Sequence, residues 1–193
     1  MFPIVHLGQD HGIVGQTYRY SESSQILVWL TRHHGILRTL AKGNVRHKSA
    51  HLPPLDIFIE AELTFTQSRT SHLHTLREAT ILTPHLELRQ DYLKVCAASY
   101  FFELITHLVE GDSAITPIHD LFLQAIRHLL DHPVRPRLVE RFELKLAVEL
   151  GLADESVAVH LVRERLKVDQ AKSRNSLLKE LAKTVSPGEN EPL

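Results

Sequence analysis

The period of the hydrophobic pattern changes once along this chain, and that change limits the fold more than any single residue does. Between Gly12 and about Leu82, apolar residues alternate or come in short runs bounded by turn residues; beyond Pro84 they recur every three or four positions. The first rhythm belongs to strands with one buried face and the second to amphipathic helices. Strands followed by helices, in series, predict an α+β protein in which the two kinds of element are segregated.

Five segments carry the strand rhythm: "GIVGQTYRY", "QILVWLTR", "ILRTLAKG", "LDIFIEAELTF" and "HLHTLREATIL". In the fourth, Ile57, Ile59, Ala61, Leu63 and Phe65 fall on one face, with Asp56, Glu60, Glu62 and Thr64 mostly on the other. Turn chemistry at 21–24 and 33–35 and a longer polar connection from Gly43 to Pro54 separate the segments. Five short antiparallel strands in so little chain favour a small closed barrel, because closure removes exposed edges.

The helical half opens with Leu93, Cys96, Ala97, Tyr100, Phe101, Leu104 and Leu108, with Gly111 placed as a C-terminal cap. A second stripe runs from Leu121 to Leu130 between Pro117 and Pro133; a third helix starts near Pro136 and ends at Gly151. Asp154 or Ser156 is expected to cap a fourth helix, and Ser173 a fifth that carries Leu177, Leu178, Leu181 and Val185. The expected organisation is a barrel domain over 1–82, a helical bundle over 83–185 and a disordered tail over 186–193.

Composition narrows the function. The 22 Lys and Arg nearly cancel the 23 Asp and Glu, so any electrostatic function has to come from local clustering. One such cluster is "TRHHGILRTLAKGNVRHKS", which gathers Arg32, Arg38, Lys42, Arg46 and Lys48 without an acidic residue. Cations projected from one strand surface suit a phosphate backbone; equally, a solvated basic face could simply balance "DIFIEAE" on the next strand. Tyr18 and Tyr20 share a face of the first strand and could stack bases, while Trp29 is expected in the core. The segment "VRERLKVDQAKSRNSLLKELAK" adds further cations and could extend a nucleic-acid surface, bind an acidic peptide or be a solvated helix face.

Other chemistry finds less support. Cys96 is the only cysteine, which precludes an intrachain disulfide, a four-cysteine zinc ribbon and a CxxC redox pair, and it falls on an apolar stripe where a buried thiol is expected. The 14 histidines invite a metal, yet HExxH is absent. The pairs His47/His51, His128/His132 and His72/His74 lack an evident third ligand. The pair His119/Asp120 resembles part of a metal phosphohydrolase signature without its companions and reads as a helix start. No GxSxG elbow, phosphate loop or GxGxxG fingerprint occurs, so no enzyme and no cofactor are expected. The N-terminus has no basic n-region and nowhere is there an apolar run of membrane-spanning length, which predicts a cytosolic protein with no membrane contact.

The joint order of these features resembles the bacterial recombination mediator family RecO. The resemblance rests on Tyr20 and Glu22, Thr31 to Gly35, Ala41 to Gly43, Arg46 to Ser49 and Leu52 to Pro54 in the barrel, then on "LHTLREATIL" at its end. "ASYFFELITHLVEGD", "HDLFLQAIRHL" and "FELKLAVELGL" are similar to the family's helical core in content and order, so the match spans roughly 12–152. It implies an OB-fold domain followed by a helical domain, without enzymatic activity. It further implies binding of single- and double-stranded DNA, annealing of complementary strands, contact with RecR, and capture of the acidic tail of single-stranded DNA-binding protein to help load RecA in the bacterial cytoplasm, at the nucleoid. On this resemblance Arg32, Arg38, Lys42, Arg46 and Lys48 are the residues expected to touch DNA phosphate. The chain departs from many relatives after "ELGL", where they carry a four-cysteine zinc motif and this one runs "ADESVAVHLVRERLKV". The competing readings are a protein-interaction adaptor whose barrel does not bind DNA, and a histidine-rich metal hydrolase.

Overall fold

The computed structural model describes residues 6–43, 52–109, 115–154 and 156–184. Its first part is a closed barrel of five strands, β1 (Leu7–Arg19), β2 (Gln25–Thr31), β3 (Ile36–Ala41), β4 (Glu60–Thr66) and β5 (Leu73–Thr83). Around the barrel the order is β1-β2-β3-β5-β4. Every neighbouring pair is antiparallel except β3 and β5, which run parallel with Arg38, Thr39 and Leu40 beside Leu73, His74 and Thr75. The all-antiparallel arrangement expected from the sequence thus needs correction, for a reason of parity. A ring of five strands cannot reverse direction at every junction, so one parallel seam is forced.

The interior is filled by the inward set of each strand: Val14, Leu27, Trp29, Leu37, Ala61, Leu63, Phe65 and Leu76 form one core cluster with Leu52, Leu55 and Ile59. Trp29 lies fully buried, and its indole N–H donates to Thr39 Oγ1 at 2.9 Å, so the one polar atom of the ring is satisfied. A bulge at Gly15 lets Val14 point inward opposite Trp29 and Gln16 outward opposite Val28. The fourth strand is shorter at its front than its alternation predicts. Ile57 sits in a turn closed by Ile59 N–H donating to Asp56 O, and Phe58 adopts φ 64° while its side chain remains fully buried.

Five helices come after the barrel among the described residues: α1 (Tyr92–Leu108), α2 (Thr116–Asp131), α3 (Pro136–Glu149), α4 (Val159–Arg165) and α5 (Lys172–Thr184). Pro136 opens α3, as its fixed φ and missing N–H favour, and Gly151 lies just past the helix with φ 67°. Two expected caps are elsewhere. Asp154 accepts from Ser156 in a turn before α4, whose N-cap position is Ala158 with no side-chain cap. Ser173 lies inside α5, and the carboxylate of Glu103 on α1 accepts from the N–H groups of Lys172 and Ser173 at 2.9 and 2.8 Å and from the Ser173 hydroxyl. Gly111, Val185 and the tail lie outside the described residues.

The chain divides into two units. One contains the barrel and α2 as far as Leu123; the other contains α1, α2 from Gln124 onward, and α3 to α5. In the second unit Phe101 stacks on Phe142 with ring centroids 3.9 Å apart, and Cys96 is buried. Buried Glu143 accepts from Tyr100 Oη at 2.7 Å and from Arg163 Nε at 2.9 Å, tying α4 to α3 and α1.

Candidate nucleic-acid interface

The basic stretch of the sequence begins on the β2–β3 hairpin, from the end of β2 through β3 to Gly43. Register fixes which way its residues face. Trp29, Leu37 and Thr39 point inward, so Val28, Arg38 and Leu40 point outward along with Gln16 and Tyr18 of β1. Two rows therefore cross this face of the sheet: Gln16, Val28, Arg38 and, one step along the strands, Tyr18, Ile26, Leu40; Val28 is itself buried, at 2% exposure, so Arg38 and Tyr18 are the exposed members. Tyr18 and Tyr20 are 53% and 59% exposed, far more than a packing role requires, and Tyr18 Oη donates to Gln16 Oε1 at 2.8 Å, which holds the ring over the sheet. Arg38 and Lys42 are exposed and four residues apart, which along a strand is about 13 Å. Gly43 ends the strand at φ 73°, a conformation that other residues rarely adopt.

Arg32 lies at the opposite end of the hairpin. Its N–H donates to His11 O, its carbonyl accepts from Thr116 Oγ1 at 2.8 Å, and its guanidinium faces Asp120 across 3.9 Å. The structure thus places Arg38 on β3 and Lys42 in the turn just past its end, and sets Arg32 apart from them, loosely paired. Arg46 and Lys48, like His47 and His51, lie outside the described residues.

A buried carboxylate braces the hairpin tip. On β1 the inward positions are Gly8, Asp10, Gly12 and Val14, opposite Phe65, Leu63, Ala61 and Trp29. Asp10 is therefore delivered into the end of the barrel, with its side chain inaccessible. It accepts the backbone N–H groups of His33 and His34 at 3.0 and 2.9 Å and their ring Nδ1–H groups at 2.9 and 2.6 Å. Burial alone would raise its pKa, but the hydrogen bonds from His34, His33 and the His11 N–H bring it down to about 2. Gly35, at φ 63°, completes the turn, and its carbonyl accepts from Thr31 Oγ1. A second polar knot lies alongside: Glu60 is 5% exposed and faces His11 Nε2 at 2.8 Å and His85 Nε2 at 3.4 Å. His119 on α2 packs edge-on against His11 and donates toward Asp120; burial pushes its pKa down.

The barrel is electrically sided. Glu62 and Glu78, with Gln9, His11, Thr64 and Thr80, line an open cleft of about 440 Å³ over β1, β4 and β5. Glu62 stands on β4, which does not adjoin β3, whereas Glu78 stands on β5, which pairs with β3 along Leu73–Thr75. Strand alternation made Asp10 findable: a charged residue at an inward position between glycines must have partners inside. The roles of Glu60 and His85 were not findable, since only the folded chain brings them together.

Among the described residues, no group of three or more His, Cys, Asp or Glu is placed to hold a metal ion. His128 and His132 do share a face, but as stacked rings with centroids 4.1 Å apart. No described helix is long and apolar enough to cross a membrane.

A closed five-stranded barrel of the OB type followed by a helical bundle places the chain in the α+β class. The chain belongs to the RecO family. Residues 5–85 match the family model described as "Recombination protein O N terminal", and residues 89–168 match "Recombination protein O C terminal". The chain is 29% identical over 148 residues to the DNA repair protein RecO of Exiguobacterium sibiricum, covering 76% of this chain and 58% of that protein. It is 28% identical over 145 residues to that of Halalkalibacterium halodurans, covering 75% and 56%. With the protein of Cutibacterium acnes the identity is 32% over 137 residues, covering 68% and 55%. The chain matches a little over half the length of each of these relatives.

Proposed function

We propose that this chain is a non-enzymatic mediator of DNA repair and homologous recombination acting in the bacterial cytoplasm. It binds single- and double-stranded DNA, anneals complementary strands and, together with RecR and the acidic tail of single-stranded DNA-binding protein, helps load RecA. The observation that carries the reading is the outward side of the β1–β2–β3 sheet, where Arg38 on β3, Lys42 just past its end and Tyr18 on β1 are all exposed. Arg38 and Lys42 hold phosphate, Tyr18 and Tyr20 stack bases, and Arg32 joins when Asp120 releases it. Arg46 and Lys48 extend the same run in sequence. Their contacts are electrostatic, so affinity depends on salt and not on base sequence.

The test is fluorescence anisotropy of a labelled single-stranded oligonucleotide across several salt concentrations, with wild type and with Arg38→Glu/Lys42→Glu. The reading expects salt-sensitive binding that weakens roughly tenfold or more in the variant and a salt slope shallower by about 1.4, for two single-strand phosphate contacts. Unchanged binding would remove the site from β3. Absence of binding by wild type would leave an adaptor.

A further inference from the structure

Of the seven cations that the sequence offers as a C-terminal basic surface, four are engaged in the fold. Arg163 pairs with Glu143 and Glu140, Arg174 with Asp169 and Lys183 with Glu180, while Arg165 donates to Leu152 O. Exposed Lys167, Lys172 and Lys179 remain on that segment, and a more regularly spaced line of positive charge lies on α3. Arg137, Arg141 and Lys145 are exposed on α3 at four-residue intervals, forming one line with steps of about 6 Å. None of the three makes a hydrogen bond or ion pair among the described residues. Of the acids on the same helix, Glu140 faces Arg163 and Glu143 is buried, which leaves Glu149 at its end.

The last turn of α2 adds a flat aromatic surface to this line. His128 and His132 are exposed, and their rings lie nearly parallel at 7°. Burial, His132 and Arg141 together hold the His128 imidazole below its ordinary pKa against the pull of Asp131. The His128 ring is therefore held toward its neutral form, a stacking surface set in a positive field.

We propose that α3 and the end of α2 form a second nucleic-acid site, in which Arg137, Arg141 and Lys145 track the phosphates of a single strand and the His128/His132 pair stacks one base. A row of cations beside a π-face fits a polynucleotide, which supplies phosphates and bases together. An acidic peptide would use the cations and leave the rings idle. The inference rests on the reading that the chain handles DNA, and it gives the helical unit a strand of its own to hold.

The experiment uses the full chain and a fluorescein-labelled single-stranded oligonucleotide. Four proteins are compared: wild type, Arg38→Glu/Lys42→Glu, Arg137→Gln/Arg141→Gln/Lys145→Gln, and the combination, each checked for folding by circular dichroism. The α3 variant is expected to bind roughly tenfold more weakly, with a salt slope shallower by about 2, and His128→Ala/His132→Ala to weaken binding severalfold at unchanged slope. The barrel variant should retain residual binding that the combination loses. Wild-type affinity and slope in the α3 variant would overturn the inference and leave the barrel site standing. Loss in the α3 variant with none in the barrel variant would instead overturn the β3 reading alone. If the α3 variant keeps DNA binding but loses an Asp-rich peptide, the surface is a protein site and the inference fails.

Discussion

At the scale of single residues, two inward positions of β1 illustrate opposite constraints. Gly8 faces the ring of fully buried Phe65, and a Cβ built there would run into that ring. Gly8→Ala should therefore cost about 1–3 kcal/mol, seen as a lowered midpoint in urea unfolding. Asp10 must keep its charge. Its pKa falls from 3.8 unfolded to about 2 folded, so its contribution of about 2 kcal/mol is fully present above pH 4 and is lost as pH falls toward 2. Asp10→Asn should lower stability at pH 7 and flatten the stability profile across that acid window. His119 acts in the opposite sense: burial depresses its pKa, so charging it disfavours the fold, and stability should fall as pH drops below about 6.5. Replacing it with Phe should flatten the slope between pH 7 and 5.

At the scale of elements, the helical unit depends on two carboxylates that reach across helices. Arg163→Met would leave Glu143 buried with only Tyr100 as a donor; since Arg163 is itself a third exposed, a loss of about 2 kcal/mol or more is expected in thermal unfolding. Glu103→Ala would strip the N-terminus of α5, costing about 1 kcal/mol and speeding hydrogen exchange in its first turn. Strand alternation and helix stripes were legible here because period and burial are local properties. The inward set of β4, Ala61, Leu63 and Phe65, and the start of α3 at Pro136 came from them directly. Long-range substitutes for local signals were not legible. Ser173 carried the local sign of a cap, and a carboxylate seventy positions earlier supplies it. The positive line on α3 escaped notice for the same reason. Arg137, Arg141 and Lys145 are scattered among acids in the sequence, and only the pairing of Glu140 with Arg163 and the burial of Glu143 leave the cations uncovered.

At the scale of the whole molecule, a formal charge of -1 hides local clusters of positive charge, with Arg38 and Lys42 exposed at β3 and Arg137, Arg141 and Lys145 exposed on α3. The parallel seam has a consequence of its own. It is the shortest ladder in the barrel, with Arg38, Thr39 and Leu40 against Leu73, His74 and Thr75, and the outward cation of β3 stands directly on it. A strand laid across Arg38 would act as a clasp on the joint where the ring is thinnest. Amides of Leu73–Thr75 should then exchange faster than those of the β1–β2 ladder in the free protein, and slow when DNA is bound, so that holding a strand and keeping the ring shut become one event.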